Sequence, residues 1–125
     1  MVRWFARFAR RQRISEDSLI GLIARAEGGL IDADLGSGLV KLRLPRRGQG
    51  RSGGYRAIVV HRKGECAFFL YGYAKSEQDD LDPAELVEYK KAATHFMALT
   101  DRQIVDLLAD GKLVEIEGYG EAPEK

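Results

Sequence analysis

Apolar residues recur along this chain at two different spacings, and the switch between them divides it into elements. Trp4, Phe5 and Phe8 stand at helical spacing among Arg3, Arg7, Arg10 and Arg11, which predicts a short basic amphipathic helix. "ISEDSLIGLIARAEGG" predicts a second. Ser15 is placed to cap it, Leu19, Ile20, Leu22, Ile23 and Ala26 share one face, and Gly28 or Gly29 stops it. After the turn-rich "DADLGSG" the period changes to two. In "LVKLRLP", Val40, Leu42 and Leu44 alternate with Lys41 and Arg43, the pattern of a half-buried strand with a cationic face. "YRAIVVHR" and "CAFFLYGYAK", separated only by "KGE", predict an antiparallel hairpin. Without a bulge, its second strand carries Phe69, Tyr71, Tyr73 and Lys75 on one face.

Two more helices follow. "DPAE" supplies Asp82 as cap, Pro83 at the first helical position and Glu85 for a capping box, with Leu86, Tyr89, Ala93, Phe96 and Met97 directed inward. Thr100 and Gln103 form a second capping box ahead of inward Ile104, Val105, Leu107 and Leu108, and Gly111 ends the run. "KLVEIEG" is a short strand candidate, and 118–125 reads as a frayed tail. Three consecutive strands with two helices before and two after predict an α+β fold built on a small antiparallel sheet, within a single domain spanning 1–125.

Composition adds little until the charge is divided along the chain. Residues 1–63 carry 14 Lys and Arg against 5 Asp and Glu, whereas 64–125 carry 6 against 14, so a net charge of +1 conceals a basic half and an acidic half. A basic half rich in Arg suits a phosphate backbone. No apolar run approaches a membrane span, and the first residues lack the apolar stretch of a secretory signal, so a cytoplasmic protein without a membrane partner is expected. The single cysteine, Cys66, lies in an apolar run and reads as a reduced thiol in or near the core.

Several chemistries are unsupported. "GQGRSG", 48–53, matches G-x-G-x-x-G, but a strand follows it where a dinucleotide site needs a helix N-terminus. No P-loop string occurs, and there is no G-x-S-x-G elbow, since "GRSGG", 50–54, leads into a strand and opens no helix. His61 and His95 fall on different elements with no ligand at metal spacing, and the acids of "EQDDLD" are explained by the helix start that follows them, so neither metal nor cofactor is expected. What remains is a set of cations on separate elements: Lys41 and Arg43 on one strand, Arg46, Arg47 and Arg51 in the glycine loop, Arg56 at the start of the next strand and Lys75 at the end of another. Such a patch binds phosphates and stabilises charge developing at a phosphodiester, and Tyr55, Tyr71 and Tyr73 are candidates to stack on bases. The residue pattern leaves open whether these cations bind RNA or solvate a sheet face.

"WFARFAR", "LIDADLGSGLVKLRLPRRGQGRSGGYRAIVV" and "FFLYGYAKSEQDDLDPAEL", in that order, resemble the RelE/HigB-like toxins of bacterial type II toxin–antitoxin systems, in the branch with a long basic glycine loop. The resemblance covers about residues 3–115 and implies a microbial-ribonuclease-like fold. It further implies a metal-independent endoribonuclease, an mRNA interferase that acts in the ribosome, inhibits translation, and is held by a cognate antitoxin, often a helix-turn-helix DNA-binding protein. On this resemblance Arg56 in "GGYR" corresponds to the catalytic arginine, Lys75 in "GYAK" to the basic residue after the last long strand, and Lys41 and Arg43 to the Lys-X-Lys pair; Arg46, Arg47, Arg51, Tyr55 and Tyr73 would contact RNA. Well-known members carry an arginine directly after that lysine and a tyrosine six residues beyond it, where this chain has Ser76 and Asp82. Two other functions on the same fold stay compatible with the sequence: a catalytically inactive module that binds antitoxin or nucleic acid, and a gyrase-directed toxin.

Overall fold

Three of the helices start where a short polar side chain can satisfy free backbone N–H groups. The Ser15 hydroxyl accepts the Ser18 N–H at 3.1 Å, while Asp82 with Glu85 and Thr100 with Gln103 form complete capping boxes. The computed structural model describes residues 1–44 and 54–116. Within them the order is α1 (Arg3–Arg11), α2 (Glu16–Glu27), β1 (Ala33–Gly36), β2 (Leu39–Leu44), β3 (Tyr55–Arg62), β4 (Cys66–Ala74), α3 (Pro83–Met97) and α4 (Asp101–Ala109). The strands form one antiparallel sheet in the order β1-β2-β3-β4, so the fold is α+β as expected. The glycine loop with Arg46, Arg47 and Arg51, and the expected tail 118–125, lie outside the described residues.

The sheet has four strands where the pattern predicted three. β1 comes from "ADLG" in the stretch read as a turn, and its partner β2 follows after a two-residue connection. Ser37 and Gly38 both have positive φ, 59° and 84°, the handedness that suits a tight hairpin, and Asp and Gly are too poor in strand propensity for β1 to announce itself. Among its described residues, "KLVEIEG" contributes an isolated bridge from Leu113 to Val2, with reciprocal bonds between Met1 and Val114.

Helices α1 and α2 cover one face of the sheet and α3 covers the other. Phe5, Phe8, Leu19, Leu42, Val59 and Phe69 meet on the first face; Leu39, Ile58, Val60, Phe68, Leu70 and Ala93 meet on the second. A bulge in β4 decides which side chains go where. Ile58 pairs with Tyr71 and Val59 with Phe69, so Leu70 is the extra residue and the alternation breaks there. Phe69 therefore faces α1 while Tyr71 and Tyr73 face α3, which corrects the single face expected for all three. Gly72 has no side chain because a Cβ there would lie 2.5 Å from the Phe8 ring and 3.0 Å from that of Phe5. Gly72→Ala is expected to cost about 1–3 kcal/mol, read as a lower urea midpoint at unchanged slope.

Two other inward expectations differ. Val105 is 57% exposed, because Ile104, Leu107 and Leu108 share the half-buried stripe of α4 and Val105 lies a quarter-turn away. Met97 is 41% exposed at the last turn of α3, with its thioether against the Gly38 turn. At the β3–β4 turn, Glu27 ties α2 to the hairpin: its carboxylate accepts the Gly64 N–H and lies 2.7 Å from His61 Nε2. The Gly64 amide first, and His61 second, hold the Glu27 carboxyl below its ordinary value. A lowered folded-state pKa stabilises above the ordinary carboxylate range and is lost as pH falls through the lowered value. Thermal melts between neutral and acid pH should therefore show Glu27→Gln losing part of the wild-type acid dependence.

Candidate functional site

Alternation places Lys41 and Arg43 of β2, Arg56 of β3 and Tyr73 of β4 on the α3 face of the sheet, at the end where the β4–α3 connection passes. The register brings three of them into one row: Arg43 opposite Arg56, and Arg56 opposite Tyr73. Two arginines directly across a ladder repel each other, so this pairing requires an anion. Asp32, just ahead of β1, provides it. Its Oδ1 lies 3.3 Å from Arg43 Nη2, and its Oδ2 lies 3.5 Å from Arg56 Nε and 4.0 Å from Lys41 Nζ. The backbone N–H of Asp32 donates to the Lys41 carbonyl at 2.9 Å, fixing the residue beside β2.

A second carboxylate approaches from the connection. Asp80 Oδ1 lies 3.3 Å from Lys41 Nζ and accepts the Leu81 N–H at 2.8 Å and the Tyr73 hydroxyl at 3.5 Å. The Leu81 amide, followed by Lys41, holds the Asp80 carboxyl below its usual range against the opposing effect of burial. Burial first, and Asp80 second, push the Tyr73 phenol up to about 12, so it stays protonated and acts as a hydrogen-bond donor. Lys75 also belongs to this end. Its backbone N–H donates to the Gly54 carbonyl, its Nζ donates to the Asp79 carbonyl at 3.0 Å, and its charge reaches Asp80.

The structure thus brings together Lys41, Arg43 and Arg56, with Lys75 beside them, and buries Arg56 to 6% exposure. Tyr55 is not part of the group. As the neighbour of Arg56 in an extended strand it points to the opposite face, where it is buried, meets Phe8 edge-on at 5.8 Å and donates its hydroxyl to Gln12 Oε1 at 2.8 Å. Tyr73 reaches the cluster through its hydroxyl while its ring is buried, so neither tyrosine offers a free face for stacking. Asp82, at the position where the resemblance leads one to expect a tyrosine, is the N-cap of α3, with Oδ1 accepting from Ala84 and Glu85. The two carboxylates that organise the site, Asp32 and Asp80, are absent from the sequence-based candidates. The only hint of Asp32 is an acid immediately before a strand too weak to be recognised.

The histidines lie elsewhere. His61 pairs with Glu27 at the β3–β4 turn, and His95 packs edge-on against Phe96 on α3. Cys66 is half-buried, and burial pushes its thiol up, away from reactive thiolate. Among the described residues no group of three His, Cys, Asp or Glu side chains is placed to hold a metal ion, and no helix is long and apolar enough to cross a membrane.

The chain is thus a small α+β protein whose antiparallel sheet carries a cationic row at one end of a face, held together by acids from neighbouring loops. The family described as "RelE toxin of RelE / RelB toxin-antitoxin system" matches residues 1–116, and the chain belongs to it. It is a toxin of a toxin–antitoxin system and has an antitoxin as partner. No curated protein and no solved structure matches the chain.

Proposed function

We propose that this toxin is a ribosome-dependent mRNA endoribonuclease that needs no metal and arrests translation by cutting mRNA in the ribosomal A site. The observation that carries the reading is the convergence of Lys41, Arg43 and Arg56 around one carboxylate-sized anion position on the sheet. In the cleavage step the RNA 2′-hydroxyl gives its proton to water as its oxygen attacks the adjacent phosphate, a pentacoordinate centre forms with extra negative charge on its equatorial oxygens, and the P–O5′ bond breaks as the 5′-oxygen takes up a proton, leaving a 2′,3′-cyclic phosphate. Arg56 faces those oxygens, Arg43 and Lys41 neutralise the growing charge, and Lys75 supplies positive charge or a proton at the leaving oxygen. Tyr73, protonated at neutral pH, serves as donor and not as base.

Among the described residues both histidines lie outside this cluster, so the site lacks an imidazole acid–base pair. The rate then depends on positioning of the RNA together with cationic stabilisation, and a ribosome holding mRNA in register supplies that positioning. Transcript 5′ ends should be mapped after induction of the toxin, using a reporter with and without its start codon. New ends inside translated codons, lost when the start codon is removed, are expected. Growth arrest without new ends would refute the nuclease reading, and a change in plasmid supercoiling would replace it with the gyrase-directed one.

A further inference from the structure

The cation row is already occupied. Asp32 gives one oxygen to Arg43 and the other to Arg56 and Lys41, and Asp80 holds Lys41 from the opposite side. A carboxylate and a phosphate present two oxygens to a guanidinium in much the same way, so any phosphate entering this row meets an anion in its place. The Asp32 backbone is fixed by its bond to the Lys41 carbonyl, whereas its carboxylate is held through the three cations.

We propose that Asp32, backed by Asp80, is an internal substitute for RNA phosphate that sets the substrate selectivity of the toxin. In the resting protein the two carboxylates neutralise Lys41, Arg43 and Arg56, so free single-stranded RNA finds little unpaired charge in this row and binds it weakly. RNA delivered and held by other contacts, as on a ribosome, competes at a high local concentration and displaces Asp32 from the guanidinium groups. The device also solves a folding problem, since Arg43 and Arg56 are register partners and Arg56 is buried. This inference rests on the reading of the cluster as an RNA site, and it assigns to two acids the weak binding of free RNA that a basic site would otherwise lack.

The test is fluorescence anisotropy of a labelled single-stranded RNA decamer with the purified full chain, as wild type, Asp32→Asn and Asp80→Asn, over a series of salt concentrations. Removing one fixed charge beside a bound phosphate should tighten binding by Asp32→Asn about tenfold near 0.1 M salt. The slope of log K against log salt should steepen by about 0.7, one further phosphate neutralised on a single strand. Asp80→Asn, which uncovers Lys41 alone, should tighten binding about threefold. Unchanged or weaker binding by a cooperatively melting Asp32→Asn overturns the proposal. Should that variant fail to melt cooperatively, the Asp80→Asn result decides, and no tightening overturns it. Binding and cleavage are read separately: translation-dependent cuts by wild type without tightening in the variants refute this inference alone, whereas tightening without cuts refutes the nuclease reading alone.

Discussion

Arg56→Ala is expected to lower translation-dependent mRNA cleavage by about 100-fold or more, the loss seen when a single charge-stabilising donor is taken from a preorganised site. Arg56 lies at the centre of the row, between Arg43 on β2 and Tyr73 on β4, and its Nε is held 3.5 Å from Asp32. The variant should still fold. Asp32 keeps Arg43 at 3.3 Å and Lys41 at 4.0 Å, so no anion is left without a partner, and the mutual repulsion of Arg43 and Arg56 is relieved. Arg56→Lys keeps the charge and loses the planar fork, so its activity should fall between wild type and Arg56→Ala. The measurement is the yield of cut reporter transcript per unit of folded toxin, with a urea melt confirming the fold. Cleavage by Arg56→Ala within threefold of wild type would remove Arg56 from the mechanism.

The cations of this site were legible because strand alternation is a local property. Lys41 and Arg43 stand between Val40, Leu42 and Leu44, and a single period assigns them one face. The same rule separates Tyr55 from Arg56, and applying it to "YRAIVV" shows that an arginine on the α3 face leaves Tyr55 on the other. The β4 bulge was not legible. Nothing in "CAFFLYGYA" marks Leu70 as the extra residue, since the bulge is forced by how Val59 and Ile58 pair across the sheet. Asp32 was hidden for a related reason. Its role depends on β1 lying beside β2, and β1 consists of "ADLG", in which only the tight turn at Ser37 and Gly38 imposes the hairpin. The helices were read well because their signals are local: Ser15, Asp82 and Thr100 each act on N–H groups within three residues. Partners distant in sequence, as in the Asp80 to Lys41 contact across 39 positions, leave no comparable mark.

Phe5→Ala is expected to be the most destabilising substitution in the α1 contact, at about 3–5 kcal/mol, a large part of the 5–15 kcal/mol that holds a typical domain. Phe5 is fully buried, with ring centroids 5.6 Å from Phe8 and 5.0 Å from Phe69, and it lies over the space that Gly72 leaves open. Truncation would leave a cavity that the stiff neighbours Phe8 and Phe69 cannot fill. The consequence extends past α1, because the Val2 N–H donates to the Phe69 carbonyl and Val2 bridges to Leu113, so the N-terminus joins the edge of β4 to the segment after α4. The chain has one tryptophan, Trp4, stacked 4.8 Å from Tyr71 and 5.5 Å from Phe8, and its fluorescence reports whether α1 is docked. Urea unfolding followed by Trp4 emission and by far-ultraviolet circular dichroism should give coincident transitions in wild type. In Phe5→Ala both midpoints should fall, and the Trp4 transition should come first if α1 is the least cooperative part of the sheet cover. A loss below about 1 kcal/mol would mean that Phe8 and Phe69 close over the space after all, and that α1 is held chiefly by Phe8 and the Val2 pairing.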